Sequence, residues 1–264
     1  MLCQYPGLRV GRWWVVQVKN EYDRQGMMAI GGIVARVLDE LCERAMPGMT
    51  TAGLDMLAGE MLHAYGAEAT PRKEYGFPGR LCISVNDEVV HGIPGARELR
   101  EGDLVKLDLT ADKRGYVADA TRMALLPPGS ETAERLAECA RMACHAAVGA
   151  AKAGMGLVEL GGIIQEEVKK QGFHVIKQLC GHGVGRRTHE EPEVPNFADQ
   201  SNTRVLREGM VIAIEPIISG GSGVIRSLAD GWTMATADGA WAGHYEETVI
   251  IGADRAVVAT EASA

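Results

Sequence analysis

The sequence predicts an α+β fold built from two related halves. Three observations carry this. The order helix, break, helix, strands occurs twice along the 264 residues. The second round repeats residues of the first at constant offset: Gly48-Met49 matches Gly154-Met155, Leu54 matches Leu160, and Glu60 matches Glu166. Internal duplication leaves such a trace, and its product is two αβ halves about a pseudo-two-fold axis. Pro127-Pro128-Gly129-Ser130 is the clearest punctuation between the rounds. One domain is therefore expected over 20–264, with halves at about 20–126 and 130–264 and an N-terminal extension at 1–19.

In order, Trp13 to Val18 has the composition of a short strand. Asn20 can cap a helix in which Met28, Val34, Leu38 and Leu41 fall near helical spacing, ending around Met46-Pro47-Gly48. Thr50 or Thr51 caps a second helix, to about Tyr65. The Pro71 to Pro78 stretch reads as loop, Leu81 to Val85 as a strand, Asn86-Asp87 as a turn, and Val89 to Pro94 as a short extended piece. Val105 to Thr121 reads as a β-hairpin around Asp112-Lys113-Arg114-Gly115. Ser130, with Glu131 and Glu134 behind it, starts a helix to about Ala153, broken by Gly154-Met155-Gly156. A further helix runs from about Val158 to Gln171. Val211 to Glu215, Glu246 to Ile251 and Ala256 to Ala259 are strand-like.

The hairpin carries the first chemical signal. With Lys113 and Arg114 at its tip, Asp108 lies directly opposite Asp119. Opposed side chains share a face with Cβ atoms about 5 Å apart. Two carboxylates there repel by roughly 3 kcal/mol at an effective dielectric near 20. Either one is protonated or a cation sits between them. Candidate partners are His182, in Gly181-His182-Gly183-Val184-Gly185, where glycines let other backbones come close, and Glu215, which ends an apolar strand-forming run before Pro216. An unpaired carboxylate buried in such a run costs several kcal/mol. Glu246 and Glu247 point to opposite strand faces, so at most one belongs to the site. Cys180 adjoins His182, but alternation is expected to aim it elsewhere. An oxygen-rich set with one imidazole suits Mn²⁺, Fe²⁺, Co²⁺ or Zn²⁺ more than a thiolate-loving ion.

Composition narrows the function classes. A net charge of −8 and 5% aromatic residues argue against nucleic-acid binding. No apolar run reaches the roughly 18–20 residues of a membrane span, and the N-terminus lacks a signal-peptide layout. The six cysteines form no Cys-x-x-Cys pair and fit free thiols in a reducing cytosol.

Asp108, Asp119, His182, Glu215 and Glu246, in this order and spacing, resemble the metal ligands of the methionine aminopeptidases, of metallopeptidase family M24. Tyr75-Gly76-Phe77-Pro78, the run Cys82 to Pro94, and Cys180 to Pro192 are similar to the type I bacterial branch, in its short form without an N-terminal zinc-finger extension. The resemblance covers roughly residues 20–260. It implies the pita-bread fold, a curved antiparallel sheet covered by helices. It also implies a cytoplasmic, monomeric dinuclear-metal aminopeptidase that removes the initiator methionine before a small residue through a metal-bridged hydroxide. By resemblance, Asp108 chelates one metal, Asp119 and Glu246 bridge both, and His182 and Glu215 complete the other site. Glu215 also shuttles a proton, His189 stabilises the oxyanion, and His91 positions the scissile amide. Phe77, Cys82 and Trp232 wall the methionine pocket. The implied partners are nascent chains and peptides, with transient ribosome contact. Thr188, Glu74 and Glu247 depart from residues common in the family, which bears on pocket shape. An Xaa-Pro peptidase and a non-catalytic binding module are the rival readings on the same fold. The first usually carries an extra N-terminal domain and the second tends to lose ligands.

Overall fold

The computed structural model describes residues 17–261. The strand expected at Trp13 to Val18 lies outside these except for its last two residues, of which Gln17 bridges to Met210. The first half runs α1 (Glu21–Arg44), α2 (Thr51–Ala64), β1 (Glu68–Ala69), α3 (Thr70–Tyr75), β2 (Cys82–Val85), β3 (Glu88–Val90), β4 (Leu104–Lys113) and β5 (Tyr116–Leu125). The second runs α4 (Glu131–Ala150), α5 (Leu157–Lys170), β6 (His174–Val175), β7 (Cys180–Gly183), β8 (Glu190–Pro195), β9 (Val211–Ile214), β10 (Ile217–Ser219), β11 (Ile225–Ser227), β12 (Met234–Thr236), β13 (Ala242–His244), β14 (Glu247–Ile251) and β15 (Ala256–Val258).

The duplication is present in atomic detail. α2 and α5 are both 14 residues long and start 106 residues apart, at Thr51 and Leu157. The loop before each contains a glycine in the left-handed region, Gly48 and Gly154, both at φ 88°. Each loop is clamped in the same way. Gly48 N–H donates to Leu99 O and Leu99 N–H to Met49 O; Gly154 N–H donates to Leu206 O and Leu206 N–H to Met155 O. Leu54 and Leu160 are both fully buried, whereas Glu60 and Glu166 are exposed, so only the apolar match serves packing.

Each half has its own core. α1 buries Ile30, Val34, Leu38 and Leu41 against β4 and β5, and Leu136, Ala140, Leu160 and Ile164 of α4 and α5 join one cluster with Ile212 and Ile214 of β9 and Val249 and Ile251 of β14. Capping sets the helix starts. Asn20 accepts from Asp23 N–H, Thr50 from Gly53 N–H and Ser130 from Ala133 N–H. All strand pairings among the described residues are antiparallel. β4 is flanked by β5 on one side and by β1 and β2 on the other, and the second sheet runs β15-β14-β9-β7-β8. The sheets join where Thr121 of β5 bridges Glu246, and Thr248 Oγ1 both donates to Asp119 O (2.7 Å) and accepts from Asp119 N–H (2.9 Å).

The hairpin differs from expectation by two residues of register, because its tip lies one residue further along. Lys113 pairs with Tyr116, so Arg114 and Gly115 form the tip, with Arg114 at φ 55° and Gly115 at φ 78°. Two successive left-handed residues make the tight turn that matches strand twist. Asp108 therefore faces Thr121, and Asp119 faces Thr110. The shift of two residues keeps both carboxylates on one face but makes them diagonal neighbours. The Pro71 to Pro78 loop also holds a short helix, α3, started by Pro71 and stopped by Gly76 at φ 75°.

Candidate active site

The seam between the two sheets assembles the site. Across it, Asp108 pairs with Thr121, and Thr121 bridges Glu246. Directly paired residues share a face, and Asp119, two residues from Thr121, shares it too. Because β14 pairs Glu247 with Ile214, the next pair along the ladder brings Glu246 to Glu215. β7 supplies His182. A Cβ at Gly181 would come within 2.3 Å of Ala213 O, and one at Gly183 within 2.1 Å of Glu191 O. Glycine on both sides of His182 is thus what lets β8 and β9 close on it.

Asp108, Asp119, His182, His189, His91, Glu215 and Glu246 line one cavity with Val90, Leu179, Cys180, Ile217 and His244. Its volume is about 30 Å³, room for about two waters or ions. Ligand atoms of Asp119, His182 and Glu246 all lie within 4.8 Å of one another. His182 Nδ1 lies 2.9 Å from Gly183 O. A carbonyl can only accept, so Nδ1 carries the hydrogen and Nε2 keeps its lone pair. That nitrogen faces Glu215 Oε1 at 3.4 Å and Asp119 Oδ2 at 3.9 Å. Thr110 Oγ1 donates to Asp119 Oδ2 (2.8 Å), and Thr121 Oγ1 to Glu246 Oε2 (3.0 Å). The other oxygens, Asp119 Oδ1 and Glu246 Oε1, are buried without a hydrogen-bond partner among the described residues.

The electrostatics point the same way. Burial, with Asp119 next, pushes the Asp108 and Glu246 carboxyls well above their usual range, and Glu215 rises for the same causes. Asp119 is pushed up to about 7, chiefly by burial. Burial holds His182 and His91 at about 4, His244 at about 3, and His189 well below its ordinary value. Four carboxylates and neutral imidazoles in one buried place call for added positive charge. The orphaned oxygens and the free Nε2 lone pair are the donors such a cation needs, so these residues fit a divalent metal.

A Metallopeptidase family M24 pattern matches residues 25–253. The chain belongs to that family. Methionine aminopeptidase 2 of Bacillus subtilis is 39% identical over 246 residues, 92% of this chain and 99% of that protein. The methionine aminopeptidase of Clostridium perfringens is 40% identical over 237 residues, 90% of this chain and 95% of that one. The crystal structure of a Thermotoga maritima methionine aminopeptidase matches with a TM-score of 0.90 and 33% identity, covering 93% of this chain and 99% of that one. The pita-bread fold expected from the sequence holds.

Around this M24 centre, other expected residues fall in distinct places. His189 stacks near His182, ring centroids 4.2 Å apart. His91 sits at φ 59°, a left-handed backbone uncommon outside glycine, on the cavity wall. Phe77 and Trp232 pack edge to face at 5.3 Å, and Cys82 pairs with Asp108 across β2 and β4; none of the three lines the cavity. Glu247 turns away from it, its Oε1 2.9 Å from Arg122 Nη2. The departures Thr188 and Glu74 are neighbours, with Thr188 N–H donating to Glu74 Oε2 at 3.3 Å.

Cys180 corrects an expectation: it lines the cavity. β7 is regular from Cys180 to His182 and shifts register only after it, so alternation puts both side chains on one face. His244 was not anticipated. Its Nε2 lies 3.4 Å from Glu215 Oε2 and 3.9 Å from Glu246 Oε2. The signal was available: His244 stands two residues before Glu246, and the period-two rule that separates Glu246 from Glu247 groups it with Glu246.

Proposed function

We propose that this chain is a cytoplasmic, monomeric, dinuclear-metal aminopeptidase that removes methionine from the N-terminus of nascent proteins and peptides when the next residue is small. The observation that carries the reading is the convergence of Asp108, Asp119, His182, Glu215 and Glu246 on one cavity, with two carboxylate oxygens lacking an internal partner. The similarity to methionine aminopeptidases over nine-tenths of the chain supports the substrate class.

The same five residues would hold two divalent ions, drawn from Co²⁺, Mn²⁺, Fe²⁺ and Zn²⁺. Bound there, the ions supply a water that ionises near neutral pH and a Lewis acid for the scissile carbonyl. Around them, the side chains do the rest. Glu215 takes a proton on a carboxylate oxygen and returns it to the leaving amine. His189 donates to the developing oxyanion, and His91 holds the scissile amide in register. Phe77, Cys82 and Trp232 form the methionine pocket. The low dielectric of the buried cavity strengthens each of these interactions. One catalytic domain over 20–264 and transient ribosome contact complete the reading. Among the described residues no helix is long and apolar enough to cross a membrane.

The test is turnover of Met-Gly-Met-Met and Ala-Pro peptides by protein loaded with each metal in turn. Methionine release from the first is expected, and Asp108→Ala should abolish it. No release with any of the metals, or preference for Ala-Pro, overturns the reading.

A further inference from the structure

The residue that holds His189 is Tyr75. It is the last residue of α3, and Gly76 follows at φ 75°, ending the helix. The Tyr75 and His189 rings lie 5.5 Å apart at 50°, and the Tyr75 hydroxyl is 2.8 Å from His189 Nδ1. The His189 backbone N–H also donates to this hydroxyl, which hydrogen-bonds to the Glu74 carboxyl as well. Tyr75 therefore grips His189 at two points, ring and backbone, from across the halves of the molecule.

We propose that Tyr75 is the positioning residue for His189: its hydroxyl, 2.8 Å from Nδ1, fixes the ring against the cavity wall. A histidine ring turns about two side-chain bonds, and a hydrogen bond at one ring nitrogen takes that freedom away. Here the bond is at Nδ1, on the ring edge that Tyr75 holds, and the ring itself lines the cavity. Sequence alone hides this contact, since 114 residues separate the partners.

This assignment rests on the proposed role of His189, and two measurements separate its fate from that role. In the zinc-loaded protein, ¹⁵N chemical shifts of the His189 ring should move in Tyr75→Phe, that of Nδ1 most. Unchanged shifts overturn the proposal whether or not the protein turns over substrate. In kinetics, Tyr75→Phe keeps the ring and is expected to lower kcat about 10-fold with KM and bound metal unchanged, against about 100-fold for His189→Ala. The double variant should be no worse than His189→Ala alone, because the hydroxyl acts through the imidazole. A full-strength Tyr75→Phe enzyme, or losses that multiply in the double variant, contradicts it.

Discussion

Arg122 is the best place to perturb the seam without touching the cavity. It lies on β5 between Thr121 and the hairpin's outer end, with its side chain 12% exposed and the Glu247 side chain 7% exposed. Its guanidinium pairs with Glu247 (2.9 Å) and donates to Thr121 O (3.2 Å), Glu246 O (2.8 Å) and Thr260 O (3.0 Å). It also lies over the Tyr245 ring, 4.7 Å from its centroid. Arg122→Ala strips Glu247 of its cation and frees three carbonyls at once. Removing one member of a buried pair costs about 3–5 kcal/mol. In a chain of this size each kcal/mol moves Tm by about 2–4 °C, so a fall of about 10 °C is expected. Glu247→Ala leaves the three carbonyl bonds and Asp39 at 3.8 Å to the arginine, and should cost less, about 2 kcal/mol. The double variant should match Arg122→Ala rather than the sum, since the two side chains act as a pair. Urea unfolding of metal-loaded protein reads all three. If Arg122→Ala costs under about 1 kcal/mol, well below the buried-pair range, the buried seam pair is not what ties the halves. Because Glu247 faces Arg122, its departure from the family pattern should change stability and leave the methionine pocket alone.

Two further outcomes follow from the same structure. Metal removal should loosen the hairpin before the helices, because it leaves Asp108, Asp119, Glu215 and Glu246 facing one another. Amide exchange at Leu107 to Thr121 should rise in metal-free protein while α1 and α4 stay protected, and unchanged exchange there counts against the charge argument. Lys106 gives a pH signature. It is buried, donates to Asn86 O (2.7 Å) and Ala242 O (3.1 Å), and burial lowers its ammonium to about 7 from 10.5. Between those values the unfolded chain binds more protons than the folded one, so this group makes stability rise with pH across the window. Lys106→Met should lose that rise, seen as a stability gap to wild type that widens from pH 7 to pH 9. A gap independent of pH refutes it.

Much of the fold was legible because it is written in local patterns. Asn20, Thr50 and Ser130 cap where polar residues precede apolar periodicity, and the apolar match of Leu54 with Leu160 marks a real pseudo-symmetry. α3 was hidden because Pro71 to Pro78 reads as loop unless Pro71 is taken as a first-turn proline and Gly76 as a stop. The hairpin tip was misplaced because register depends on which two residues accept left-handed backbone, and Arg114 is an unusual choice. The five residues that the resemblance implies as metal ligands line one cavity, whereas alternation alone left the choice between Glu246 and Glu247 open. His244 and Tyr75 were missed for different reasons. His244 needed the alternation rule carried two residues further, whereas Tyr75 meets His189 only through the tertiary fold.

The central claim is that the seam carboxylates and His182 exist to hold metal, and counting the metal tests it most directly. Protein stripped of metal and then dialysed against Mn²⁺ or Co²⁺ should retain two equivalents per chain. Asp108→Ala should retain fewer, and the melting temperature should rise on loading only where metal is retained. A wild-type chain that binds no divalent ion, or binds it equally well after Asp108→Ala, contradicts the account.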